Sequence, residues 1–153
     1  MNQPVLAEVN HGPLIRKFDT ADLSQHGKWI MPRMLKAYPH LNERGVATLL
    51  QNVIYNNEFL FLFQDDSVAL AQVISAHALA GNPVIYERFV WCEKPDDKAQ
   101  QVRAAEFYEH IRRWAKTQNV EVLIVEENTD VPHDMVKEKL GRIFQRQQQF
   151  ARI

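Results

Sequence analysis

The sequence predicts one α/β (α+β) domain, with a mixed central sheet of about six or seven strands flanked by about four helices. Three observations predict it. Three strand-like segments follow one another between Phe59 and Cys92, a long amphipathic segment and a short apolar strand come next, and helical periodicities stand on either side of the set. At 153 residues, 46% of them hydrophobic, the chain is long enough for one well-buried core and too short for two typical domains.

Met1 to Gly12 carries polar residues, a proline and a glycine before any periodic pattern begins, so residues 1–12 read as an N-terminal arm and 13–153 as the domain. Leu14, Ile15 and Phe18 suggest a short strand, and Asp19 to Asp22 supplies side-chain oxygens suited to capping a helix. From Leu23 to Tyr38, the residues Trp29, Ile30, Met34 and Leu35 recur near helical spacing. Pro32 has no N–H and crowds the preceding turn, so a broken helix is expected there. Asn42 can cap the next helix, whose stripe is Val46, Leu49, Leu50, Val53 and Ile54.

Phe59 to Phe63 is a continuous apolar run, Asp65 and Asp66 make a turn, and Val68 to Ile74 resumes a strand: a central hairpin. Gly81, Asn82 and Pro83 mark another turn before Val84 to Cys92, the third consecutive strand. Between Asp96 and Gln118, Ala104, Phe107, Tyr108, Ile111, Trp114 and Ala115 repeat at steps of three and four, which describes a long amphipathic helix. Val120 to Val125 then reads as a buried strand, parallel to the one before the helix because a crossover joins them. Pro132 opens a short helix through Leu140, Gly141 ends it, and Ile143 to Ile153 reads as one final strand with a glutamine-rich middle.

Several function classes are disfavoured at this stage. With Lys and Arg 18 against Asp and Glu 19, the chain has no field to hold nucleic acid or an anionic membrane. No stretch approaches the roughly 20 apolar residues of a membrane span, and the start lacks the pattern of a secretory leader, so a soluble, unprocessed protein is expected. The single Cys92 excludes an intrachain disulfide and reads as a packing residue, in keeping with a reducing compartment. The six histidines show no paired ligand spacing, so no metal is expected. Trp29, Trp91 and Trp114 read as core, and Arg112, Arg113 and Lys116 as a solvated helix face. The polar run Gln145 to Gln149 suggests an exposed edge open to pairing with another subunit.

The succession of strand, two helices, three antiparallel strands, long helix, strand, short helix and strand resembles the Gcn5-related N-acetyltransferases. Ile111 to Val125, IRRWAKTQNVEVLIV, looks like the end of that family's third helix followed by its fifth strand, and Lys137 to Gly141, KEKLG, like its closing helix. The resemblance implies a turn after the fourth strand whose backbone N–H groups cradle the pyrophosphate of acetyl-CoA, in the pattern Gln/Arg-x-x-Gly-x-Gly/Ala, at a helix N-terminus. Glycine suits that close approach because it has no Cβ, and the helix end adds free donors and a favourable dipole.

Counted back from Trp114, the cradle falls on Lys98, Gln101, Val102, Arg103 and Ala104. Val102 stands for the first glycine, Ala104 for the second and Ala99 for the leading Gln or Arg. Only Ala104 fits, no glycine lies between Gly81 and Gly141, and Glu93, Asp96 and Asp97 repel a pyrophosphate. Lys137 occupies the place of the tyrosine that, by the resemblance, protonates the departing thiolate. Glu87 and Glu93 are the carboxylates available as general base along the fourth strand, although Glu87 reads more simply as a solvated or ion-paired residue beside Arg88 or His77.

The expected function is therefore an acetyltransferase-like domain with a degenerate acetyl-CoA site, needing no cofactor. It would serve a protein partner or homo-oligomer in the cytoplasm or in a virion, like divergent relatives from tailed bacteriophages. The alternative is an active N-acetyltransferase with a non-standard pyrophosphate loop and acetyl-CoA as substrate. In it Glu87 or Glu93 deprotonates an amine, and Lys137 or Tyr108 stands near the thiolate. A splayed fourth and fifth strand with inward N–H groups would favour the enzyme; side chains filling that cleft would favour the binding protein.

Overall fold

The computed structural model describes residues 15–74, 83–120, 122–125, 128–140, 144–145 and 150–152. The expected arm over residues 1–12 and the Gly81–Asn82 turn lie outside these residues. The elements run β1 (Arg16–Lys17), α1 (Thr20–Ala37), α2 (Glu43–Tyr55), β2 (Phe59–Gln64), β3 (Ser67–Ile74), β4 (Val84–Cys92), α3 (Lys98–Thr117), β5 (Val122–Val125), α4 (His133–Leu140), β6 (Phe144–Gln145) and β7 (Phe150–Arg152). The seven strands form one sheet in the order β1-β2-β3-β4-β5-β7-β6. Two of them, β1 and β6, are only two residues long.

Helix starts are set by side chains. Asp19 accepts from the N–H groups of Ala21 and Asp22, while Asp22 accepts from the N–H of Asp19, a reciprocal box that opens α1. Arg16 of β1 then clamps Asp22 with both guanidinium nitrogens at 2.8 Å, tying the sheet edge to the helix. Asn42 caps α2 through the N–H of Gly45.

The expected break at Pro32 does not occur: α1 is one helix of 18 residues with Pro32 inside it. Pro32 lies on the exposed face, as does Lys28, whose carbonyl loses its partner, so water can take that hydrogen bond. Buried Ile30 and Met34 hold the opposite face to the sheet on both sides of the proline.

Sheet pairing follows the hydrophobic alternation. Strands β2, β3 and β4 pair antiparallel in sequence, and β5 pairs parallel to β4 after the α3 crossover. The one strand expected over 143–153 is not found among its described residues, which form two strands. β6 and β7 pair antiparallel with each other, and β7 pairs antiparallel with β5. The four residues of β5 offer too short a ladder to hold an eleven-residue partner, and a glutamine-rich middle brings no apolar face to bury.

Each sheet face carries its own core. Phe61, Phe63, Val68, Leu70, Phe89 and Trp91 pack against α1 and α2, while Leu60, Leu62, Ala69, Ala71, Val90 and Cys92 pack against α3 and α4. A bulge decides which residues of β4 go where. Leu70 faces Phe89 but Ala71 faces Glu87, leaving Arg88 as the extra residue. Ile85 and Glu87 therefore share the α3 side with Val90 and Cys92, and Phe89 and Trp91 turn the other way.

Candidate functional site

The carboxyl end of β4 and the amino end of α3 are where a ligand would meet this sheet, because α3 directs its free N–H groups there. In this chain two of those donors, the N–H groups of Gln100 and Gln101, are engaged by Asp97. Asp97 caps α3, its carboxylate accepting from the N–H of Gln100 at 3.0 Å and its carbonyl from the N–H of Gln101 at 3.0 Å. The buried Gln100 side chain folds back to accept from the N–H of Lys94 at 2.8 Å, and Gln101 donates its amide to the carbonyl of Pro95 at 2.7 Å. The turn is closed on itself, with a carboxylate placed where an anion would bind.

The residues expected to cradle pyrophosphate are consequently not in a loop. Lys98, Gln101, Val102, Arg103 and Ala104 lie in the first two turns of α3. Lys98 is exposed, Val102 is 50% exposed, and Ala104 is fully buried in the core. Arg103 forms an ion pair with Asp66 of the β2–β3 turn, and that contact raises its pKa. The carbonyl of Asp66 accepts from the N–H of Glu93 at 2.8 Å, which anchors the other side of the same turn.

The cleft between β4 and β5 is filled as well. Parallel pairing runs only from Ile85 to Glu87 of β4, against Leu123 to Val125. Beyond it, Asn128 to Asp130 pair with the same edge of β4. Asn128 accepts from the N–H of Val90 at 3.2 Å, Asp130 donates to the carbonyl of Val90 at 2.9 Å, and Val90 and Thr129 make a parallel bridge. Side chains complete the closure. Asn128 accepts from the Trp91 indole at 2.9 Å, and Asp130 accepts from the N–H of Cys92 at 2.8 Å. Arg33 of α1 reaches across to Asp130 at 2.8 Å and to the carbonyl of Cys92 at 3.2 Å, its guanidinium lying 4.8 Å from the Trp91 ring centre. Burial, followed by the charges of Asp130 and Asp66, pushes the Cys92 thiol up to about 12, so it is held as an unreactive thiol.

Of the expected catalytic residues, Glu87 is the one placed in a structured polar cluster. It is fully buried and accepts a hydrogen bond from the hydroxyl of Tyr108 on α3. Tyr108 Oη also lies 2.9 Å from Thr129 Oγ1, which accepts from the N–H of Val131 at 3.1 Å. Burial chiefly, and the neighbouring Glu87 charge, hold the Tyr108 pKa well above that of a free phenol. The solvated setting expected for Glu87 is not found, because the bulge at Arg88 keeps its side chain on the α3 side. Arg88 donates to Gln72 at 2.9 and 3.1 Å and lies over the Tyr86 ring; His77 lies outside the described residues. Glu93 and Lys137 are both exposed, on the turn after β4 and on α4. Sequence reasoning missed Arg33, Asn128, Thr129 and Asp130, which are distant from β4 in sequence and belong to no local pattern. Among the described residues, no group of three His, Cys, Asp or Glu side chains converges on a point that could hold a metal.

A mixed sheet with one parallel pair across a long crossover helix, two helices on the opposite face and a bulged fourth strand make an acetyltransferase-like fold. Solved structures of the same fold include an acetyltransferase from Vibrio fischeri, at 13% identity and a TM-score of 0.54, covering 74% of this chain and 95% of that one. An aminoglycoside acetyltransferase from an uncultured soil metagenomic sample is similar in two structures. Its complex with trehalose is 12% identical with a TM-score of 0.53, and its complex with sisomicin is 9% identical with a TM-score of 0.52. Each covers 78% of this chain and 80% of that one. Identities this low establish the fold alone. No family profile matches the sequence, and no curated protein does.

Proposed function

We propose that this chain is an acetyltransferase-like domain whose acetyl-CoA site has closed, and that it works by binding a protein partner or further copies of itself. The observation that carries this reading is the return of Asn128–Asp130 to the free edge of β4, locked by Arg33 and by the N–H of Cys92. Acetyl-CoA is an extended arm bearing amides and a pyrophosphate. It needs an open strand edge and free N–H groups at the start of α3; here the protein's own backbone occupies the first, and the Asp97 cap takes up part of the second.

A structural role in a tailed-bacteriophage virion is the form of this proposal that the likeness to divergent phage relatives suggests. The competing reading, an active N-acetyltransferase using acetyl-CoA, asks Glu87 or Glu93 to take a proton and Lys137 to supply one. Glu87 is buried beneath Tyr108, whereas Glu93 and Lys137 are exposed side chains on the turn after β4 and on α4. The test is thiol release from acetyl-CoA with a panel of primary amines. The closed-site reading expects release at the uncatalysed rate. Release that scales with protein concentration and saturates with an amine would overturn it.

No described helix is long and apolar enough to cross a membrane.

A further inference from the structure

The sheet end opposite the α3 N-terminus carries an open cavity of about 910 Å³, formed where α2 ends, β2 begins, β3 ends and α3 ends. Its lining is unusual in chemistry. Gln51, Asn52, Asn56, Asn57 and Gln118 contribute five carboxamides, and none of the described lining residues is a lysine or arginine. Tyr55 stands beside them with 77% of its surface exposed, one of two large apolar side chains left in solvent among the described residues.

We propose that this cavity binds a neutral saccharide. A sugar hydroxyl both donates and accepts, and a carboxamide is the side chain that does both without charge, so five of them around one cavity match a polyol in kind. Tyr55 supplies the apolar surface on which the C–H face of a pyranose ring can lie. Its ring is held in place, because its hydroxyl lies 3.0 Å from Thr20 Oγ1 of α1. Half-buried Val73 adds an apolar patch to the lining. Anionic ligands are a poor match, since no lining cation meets them and Glu58 repels them.

Part of the amide capacity is already committed, which fixes the geometry of what remains. Asn56 uses its side-chain oxygen to accept from the N–H of Glu58 at 2.9 Å, leaving its NH2 group to donate. Gln118 donates weakly to the Thr117 hydroxyl at 3.4 Å, leaving its oxygen to accept. Asn56 therefore offers a donor just past the end of α2, and Gln118 an acceptor at the end of α3. This proposal does not depend on the state of the acetyl-CoA site, which lies at the other end of the sheet.

The test is nuclear magnetic resonance titration of the labelled protein with maltotriose, cellotriose and chitotriose as probes, with glucose 6-phosphate as the anionic control. The expected result is saturable shifts for at least one neutral probe, confined to the side-chain amides of Gln51, Asn52, Asn57 and Gln118 and the backbone from Tyr55 to Glu58. Affinity should fall in the millimolar range. Tyr55→Ala, at an exposed position that leaves the core intact, should weaken binding at least tenfold, and Val102→Asp should leave it unchanged. No saturable shift with any of the three neutral probes would overturn the proposal. So would shifts undiminished in Tyr55→Ala, or tighter binding of the phosphorylated sugar.

Discussion

Strand β4 has two halves that are covered in different ways. From Ile85 to Glu87 it is an ordinary interior strand, paired with β3 on one side and β5 on the other. From Val90 to Cys92 its second partner is an irregular segment fastened by side chains, with Arg33 and Asp130 at its centre. The first half is held by a repeating ladder, so loss of any one side chain leaves its pairing in place. The second half has two backbone bonds to Val90, the Trp91–Asn128 contact and the Arg33–Asp130 ion pair, whose carboxylate also accepts from the N–H of Cys92. Its hold rests on fewer contacts than the ladder, so substitution should separate the two halves.

The largest effect is expected at the clasp. Asp130→Ala strands a mostly buried guanidinium and leaves the N–H of Cys92 without its acceptor, and should cost roughly 2–4 kcal/mol in urea denaturation. Asp130→Asn keeps an oxygen for Cys92 and should cost less. In the ladder-held half, Tyr108→Phe removes the donor to buried Glu87 and should cost about 1–3 kcal/mol without releasing the β4–β5 pairing, which amide hydrogen exchange would report.

A smaller effect is expected at the far edge of the sheet, where Arg16 lowers the Asp22 pKa below its ordinary 3.8. The native state then binds the Asp22 proton less tightly than the unfolded chain does. Its contribution is complete above about pH 4 and is lost as pH falls through the lowered native value. Asp22→Asn should flatten that acid limb and cost about 1 kcal/mol at neutral pH, since half-exposed Arg16 is screened by solvent. The smallest effect is chemical: native Cys92 should not react with a thiol-specific reagent at pH 8, and should react fully once unfolded. The Asp130→Ala variant should show intermediate reactivity, because its closure is loosened.

Elements whose signals are local were legible in the sequence. Asp19 and Asn42 cap the helices they precede, Val84–Cys92 is the third antiparallel strand, and α3 follows the three- and four-residue steps from Ala104 to Ala115. Pro32 misled because helix-breaking was judged without knowing that its face is exposed, where solvent can reach the carbonyl that loses its partner. The last strand misled because its length is limited by β5, a neighbour the local sequence does not specify. The site was legible only in outline. Missing glycines and surplus carboxylates in the sequence raise the expectation of a poor phosphate cradle, which enters the proposed function. The Asp97 cap, the Asn128–Asp130 return and the Arg33 bridge join residues up to 97 positions apart, and no local pattern marks such pairings.

The most direct test of the closed site is titration calorimetry of the folded protein with acetyl-CoA and CoA, at concentrations that reach millimolar affinity. The account predicts no saturable heat from the native chain. Saturable binding that Val102→Asp weakens would contradict it, because it would mean that the start of α3 still receives a pyrophosphate despite the Asp97 cap and the clasp over β4.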